Sequence, residues 1–206
     1  MDEAQVKAAT LNYVRKMNGR RRKPVVTAEF SLGSSGVRAD LVVFADTVIG
    51  FEIKTARDSL RRLPSQMHAY ARYFDHAVAI VAPSHLKNLK FDDLQGASLW
   101  TYDKRGDVTV LHVGNQNNVG PDALLDVLTQ SERRKRHYAE AMIARYGPTS
   151  RQFWDTVGRR AICAEDLPLL SRFSESRDQA KRWASHRKDR WSHWLAAQDA
   201  LVAASA

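Results

Sequence analysis

The stretch from residue 37 to residue 54 reads VRADLVVFADTVIGFEIK. It has the composition of two strands around a short loop, rich in β-branched and aromatic residues. Side chains alternate faces along a strand. Val37, Ala39, Leu41 and Val43 therefore share one face of the first strand, and Arg38, Asp40, Val42 and Phe44 the other. In the second strand Ile49, Phe51 and Ile53 oppose Val48, Gly50, Glu52 and Lys54. The apolar faces are expected to point to one core, and a slip of one residue would turn them away from each other. Phe44 opposite Val48, with Ala45-Asp46-Thr47 as the loop, meets that condition. The register then sets Asp40 against Glu52 and Arg38 against Lys54, with opposite Cβ atoms about 5 Å apart.

Two carboxylates that close repel each other, and a divalent cation between them turns the repulsion into a site. Magnesium favours one or two carboxylates with water and phosphate oxygens. Lys54, two residues beyond Glu52 on the same face, can orient a water or neutralise charge developing on a phosphate. Together these are the parts for metal-assisted phosphodiester hydrolysis. The same four charges also suit a salt-bridged sheet face in solvent, so the surrounding pattern has to discriminate.

Outward from the hairpin, residues 2–18 read as a helix with Val6, Leu11 and Val14 to one side, ended at Asn18-Gly19. A strand at 25–30 follows the basic run Arg20-Arg21-Arg22-Lys23. A helix is expected from about Pro64 to Phe74, where Met67, Tyr70 and Phe74 form an apolar stripe. The run at 77–82 is apolar throughout, as in a strand buried on both faces. Residues 84–94 are expected to be helical, and strands are expected at 97–102 and 107–113. Beyond the loop at 114–121 the pattern turns helical: about 121–146, 150–158, a short helix near 165–171, and 175–203. The reading is an α/β unit at 1–113 and a basic helical extension at 114–206.

The hairpin and its flanks resemble the PD-(D/E)XK nuclease superfamily, above all its RecB-like exonuclease branch and small stand-alone bacterial proteins of that type. The resemblance rests on the Asp closing Gly36-Val37-Arg38-Ala39-Asp40, the triplet Glu52-Ile53-Lys54, and Gln66-Met67-His68-Ala69-Tyr70, in that order. It covers roughly residues 1–82 and implies a restriction-endonuclease-like core of αβββαβ order, a mixed sheet flanked by helices. By the same resemblance Asp40 and Glu52 are metal ligands, the Ile53 carbonyl is a third, Lys54 is the catalytic lysine, and Gln66 reaches the active site. Tyr70 is expected to serve the core. Glu29 is the candidate for a further metal contact, with Glu3 behind it. The implied cofactor is Mg²⁺, for which Mn²⁺ can substitute. The implied substrate is nucleic acid, DNA favoured, touched by Arg38, Arg62, Arg22 and Lys23. A catalytically silent binding or protein-interaction module is the alternative use of such a fold.

Charge and composition agree with a polyanionic partner. The net charge is +9 and the pI about 9.9, a footprint of nucleic-acid binding. The lone Cys163 excludes a disulfide framework, a CxxC zinc site or a four-cysteine cluster within the chain. None of the seven histidines forms an HxH or HExxH pair, and GxSxG, GxGxxG and Walker A patterns are absent. No secretory h-region is seen and no apolar run nears the ~18 residues of a membrane span, so the chain is expected to be cytoplasmic. In the extension, Arg177 to Arg190 holds six basic and two acidic residues, and Trp183, Trp191 and Trp194 lie to one side of a helix. The tryptophans are expected to be its buried face, with stacking on unpaired bases as the other use of such a stripe. The extension can also serve a partner protein or a second copy of the chain.

Overall fold

A computed structural model describes residues 1–19, 23–135, 137–171 and 174–204, without the side chains of 135, 174–177 and 200–204. Arg22 lies outside the described residues. The protein is mixed α/β, a six-stranded sheet in the order β1-β2-β3-β4-β5-β6 between helical layers. The strands are β1 (Val25–Ser31), β2 (Arg38–Phe44), β3 (Val48–Lys54), β4 (His76–Val81), β5 (Ser98–Tyr102) and β6 (Val108–His112). The first three form an antiparallel meander, β3, β4 and β5 run parallel, and β6 returns antiparallel. Helix α1 (Glu3–Met17) opens with a capping box between Asp2 and Gln5, which satisfies two of the first-turn donors. Helix α2 (Leu63–Tyr73) starts with Pro64 in its first turn, where a missing N–H is harmless. It makes the crossover between the parallel strands β3 and β4 that tight turns cannot make.

The hairpin register is the expected one, with Phe44 paired to Val48 and Leu41 to Phe51. Its two faces are not. Both faces of the sheet are covered, so Val42 and Phe44, placed by alternation on an outer face, are buried. Leu41, Val43, Phe51 and Ile53 pack with Val6, Leu11 and Val14 of α1. Val42 and Phe44 pack with Leu63, Met67 and Tyr70 of α2. Gly50 permits this second layer, because a Cβ there would stand 2.1 Å from the Phe74 ring.

The change in composition at residue 113 is not a break in packing. Helices α3 (Pro121–Asp126) and α4 (Gln130–Lys135) replace most of the single helix expected over 121–146. The break falls where Thr129 and Glu132 bond each other's backbone amides, a capping box that starts a new helix. Helix α5 (Tyr138–Val157) then runs through Pro148 and takes in the helix expected at 150–158. It covers the free edge of β1: Val26 N donates to Ser150 Oγ at 3.0 Å, and Trp154 Nε1 to the Pro24 carbonyl at 2.9 Å. Phe153, Trp154 and Val157 join the α1 side of the core. Residues 84–94, expected as a helix, hold two short 3₁₀ turns at Pro83–His85 and Phe91–Leu94. A 3₁₀ segment, Ala164–Leu170, precedes helix α6 (Ser174–Ala204). Among the described residues no helix is long and apolar enough to cross a membrane.

Candidate functional site

The ladder pairs between β2 and β3 end at Leu41 and Phe51. Beyond them Asp40 turns its carboxylate onto the strand opposite, and Asp40 Oδ2 accepts from Ile53 N at 2.7 Å. Glu52, one residue earlier on β3, is 2 % exposed. Its Oε1 accepts from Lys54 Nζ at 2.5 Å and its Oε2 from the Tyr70 hydroxyl at 2.7 Å. Tyr70 is thus a core residue and a site residue at once, fully buried against Phe74 with its hydroxyl on Glu52. Burial, and then the charge of Glu52, push the Asp40 carboxyl up to about 7. That is the effect of two carboxylates sharing a partly dry site. Burial and the same two carboxylates hold the Tyr70 hydroxyl well above the ordinary tyrosine range, so it remains a donor.

Three elements from outside the hairpin complete the arrangement. Lys7 of α1 is 6 % exposed and was not singled out from the sequence. Its Nζ meets Glu3 at 2.6 Å, Glu29 in a short contact, and Asp40 at 4.0 Å. Burial works to lower the Lys7 pKa, but the charge of Asp40 and the bonds to Glu29 and Glu3 outweigh it and hold it raised. The signal was present: Lys7, Leu11 and Val14 stand at i, i+4 and i+7, so one charge lies on the buried stripe of α1. Glu29 interrupts β1 with φ +57 and makes no ladder pair with Asp40. A left-handed backbone costs a non-glycine residue roughly 1–2 kcal/mol. Here the conformation carries the side chain to Lys7 and to Arg38, whose Nε lies 2.6 Å from Glu29 Oε2. From α2, Gln66 sends a buried amide oxygen into the site, and this oxygen has no hydrogen-bond partner among the described residues.

Asp40, Glu52, Ile53, Lys54, Glu29, Arg38, Arg62 and Gln66 line one open cleft of about 770 Å³. It continues past Glu29 and Arg38 into a second groove that reaches Arg145 and Tyr146 of α5. Asp126 of α3 pins the loop after β1 by accepting from Ser34 N, Ser34 Oγ and the Tyr73 hydroxyl. The Ser34 amide and then the Tyr73 hydroxyl pull the Asp126 pKa down to about 2. Of the expected nucleic-acid contacts, Arg38 lies at the cleft with its Nε on Glu29. Lys23 faces Asp155 at 3.8 Å, beyond the opposite end of β1. At about 3.3 Å per residue the run to Glu29 is about 20 Å. Asp58, also on the cleft wall, accepts from the Thr55 amide and hydroxyl.

The donor set fits a hard divalent cation: two carboxylates, the unbonded Gln66 oxygen and the Ile53 carbonyl are all oxygen ligands. Among the described residues, Glu3, Glu29 and Asp40 also bring carboxylate oxygens within 4.8 Å of one another. The Lys7 ammonium already stands among them and offsets part of their charge.

The family model of Bacteriophage P4 protein cII matches residues 1–135, which include every element of this cleft. The chain belongs to the bacteriophage P4 cII family. This corrects the resemblance drawn from the three short motifs, because no PD-(D/E)XK family model matches. A handful of residues on a β-hairpin and a helix is a smaller basis than a match over 135 positions. The cII-family chain is also similar to a solved structure, the SPO1766 protein of unknown function from Silicibacter pomeroyi. The TM-score is 0.51 at 12 % identity, over 75 % of this chain and 90 % of that one; at that identity the likeness concerns the fold alone. No curated protein matches the chain.

Proposed function

We propose that this cII-family chain is a metal-dependent nuclease that hydrolyses phosphodiester bonds in DNA. We propose also that its α1-β1-β2-β3-α2-β4 portion is laid out as a restriction-endonuclease-like core. The observation that carries the first reading is the half-buried Asp40 carboxylate set beside the buried Glu52 and Lys54 on the cleft. Burying two like charges is costly unless a cation offsets them.

In this reading Asp40, Glu52, the Ile53 carbonyl and the Gln66 amide hold Mg²⁺ or Mn²⁺. A cation so held supplies Lewis acidity and a water of lowered pKa. Tyr70 and Lys54 fix the Glu52 carboxylate by two hydrogen bonds, which keeps the site organised before substrate arrives. The Lys54 ammonium faces the phosphoryl oxygens and stabilises the charge they gain. Arg38 and Arg62 at the cleft walls hold flanking phosphates. A water oxygen would attack phosphorus and give up its proton to solvent as the bond to the 3′-oxygen breaks, and that oxygen would take a proton from solvent. DNA is favoured because it lacks the 2′-hydroxyl that lets RNA supply its own nucleophile, so an external water must be activated.

The test is cleavage of linear duplex, circular duplex and single-stranded DNA with Mg²⁺, Mn²⁺ or EDTA, by the wild type, Asp40→Asn and Lys54→Ala. Asp40→Asn keeps an acceptor for the Ile53 amide and removes one of the paired charges. Metal-dependent cutting by the wild type, lowered at least ~100-fold in Asp40→Asn with the fold intact by circular dichroism, is the expected result. Cutting that survives in both variants would sink the reading. One observation favours a silent binding module instead: Lys7 and Lys54 already offset the carboxylates. Salt-sensitive DNA binding in EDTA, with no cutting under any condition, is the outcome that would select it.

A further inference from the structure

Helix α6 leaves the body of the protein part-way along its length. Its first half packs on Ala164–Leu170, with Ala180 buried and Arg187 bound to Asp166 and Glu165. From Lys188 to Asp199 every side chain is exposed. Residues 188–204 therefore project as a rod about 25 Å long at 1.5 Å per residue. The tryptophans expected as its buried face are bare: Trp183 is 57 % exposed, Trp191 61 % and Trp194 51 %. Trp191 and Trp194 stack on each other, ring centroids 5.0 Å apart. Exposed aromatic area of this kind is an interaction site in a stable protein.

The charges around the tryptophans identify what covers them. At about 100° per residue, Trp183, Arg190 and Trp194 fall within about 40° of one another, with Trp191 about 60° beyond Trp194. A guanidinium therefore stands inside the aromatic stripe. Asp189 and Asp199 project well away from it, and among the described residues Arg190 has no acidic partner within 4.0 Å. A second copy packed stripe to stripe would set Arg190 against indoles and another Arg190, with no carboxylate in the stripe to pair it, which is costly. A polyanion with aromatic faces satisfies both features. Its phosphates meet Arg190 within the stripe, and its bases stack on indole. The bases of a duplex are already stacked on each other and offer no such face.

We infer that the projecting half of α6 is a binding platform for single-stranded nucleic acid, with Trp191 and Trp194 as the stacking residues and Arg190 as the phosphate contact. This surface is separate from the carboxylate cleft and does not depend on cleavage there.

The full chain is titrated in EDTA, so that no cutting is possible, with fluorescein-labelled oligothymidine of roughly 16 nucleotides, the upper end of what one such platform occupies. Strand binding is expected with quenching of tryptophan fluorescence. The double variant Trp191→Ala/Trp194→Ala is expected to bind at least ~10-fold more weakly, and Arg190→Glu to bind more weakly with a shallower salt dependence. Matched duplex is expected to show no loss in the double variant. Both altered sites are exposed, so circular dichroism and the thermal midpoint should match the wild type. Equal single-strand affinity in the wild type and the double variant overturns the inference. So does a concentration-dependent dimer, seen by sedimentation, that the double variant abolishes, because the stripe then belongs to a second copy.

Discussion

Around Asp40 the protein buries charge, and along α6 it exposes aromatic surface. Lys7, Glu52 and Lys54 are 6 %, 2 % and 5 % exposed, while Trp191 and Trp194 are 61 % and 51 % exposed. Each region inverts the usual allocation, in which charges face water and indoles pack inside. The two inversions are held differently. In the cleft the buried charges have protein partners: Lys54 and Tyr70 hold Glu52, while Asp40, Glu29 and Glu3 hold Lys7. On α6, Trp191 and Trp194 have only each other as ring partners among the described residues. Buried charge is woven into folding, whereas exposed aromatic surface is a cost the fold tolerates without relying on it.

That contrast can be broken by mutation. Trp154→Ala and Glu52→Ala should be the most damaging. The first removes a side chain buried beside Phe153 and bonded to the Pro24 carbonyl, at a cost of about 3–5 kcal/mol. The second leaves the Lys54 ammonium buried without its carboxylate, also about 3–5 kcal/mol. Denaturant unfolding measures both; a loss under about 1 kcal/mol for Glu52→Ala would mean that water reaches the pair and the cleft is not dry.

The pH dependence is the next largest effect. With its pKa raised to about 7, folded Asp40 keeps a proton between about pH 4 and pH 7 that the unfolded chain has released. The native state then binds more protons, so this group makes stability fall as pH rises through that window and level off above it. The slope is at most about 1.4 kcal/mol per pH unit. Asp40→Asn should flatten it, and an unchanged profile would remove Asp40 as its source. Millimolar Mg²⁺ should raise the thermal midpoint more at pH 8 than at pH 6, because protons compete for the same carboxylate.

At the small end, Trp191→Ala should change stability by no more than about 0.5 kcal/mol, against about 3–5 kcal/mol for the same truncation at Trp154. A large loss at Trp191 would mean that the projecting helix is tied to the body in solution.

Much of the fold could be read from local pattern. The Phe44–Val48 register followed from two apolar faces that had to coincide, and β4 as a doubly buried strand followed from its uninterrupted apolar run. The break at Thr129 was missed by the single helix expected over 121–146, although Thr129 and Glu132 form a capping box there. Other features could not be read from local pattern. Glu29 carries no residue-level mark of a left-handed backbone, because its conformation is held by Lys7 and Arg38 from α1 and β2. Val42 and Phe44 appeared to share a solvent face with Asp40, because α2 and Tyr146, which cover Phe44, lie far along the chain. Short motifs also suggested a family that the match over residues 1–135 corrected.

The sequence by itself determined which residues share a face: Asp40 with Glu52, Lys7 with Leu11 and Val14, Trp183 with Trp194. Helix and strand periodicity are local properties of the backbone, so these groupings hold in any fold that keeps the elements. Only the tertiary structure decided what lies against each face. It buried the charged end of the hairpin beneath α1 and α2, covered Trp154 with the edge of β1, and left Trp191 and Trp194 beyond the end of the body. Burial is a relation between elements distant in sequence, and periodicity carries no information about that distance.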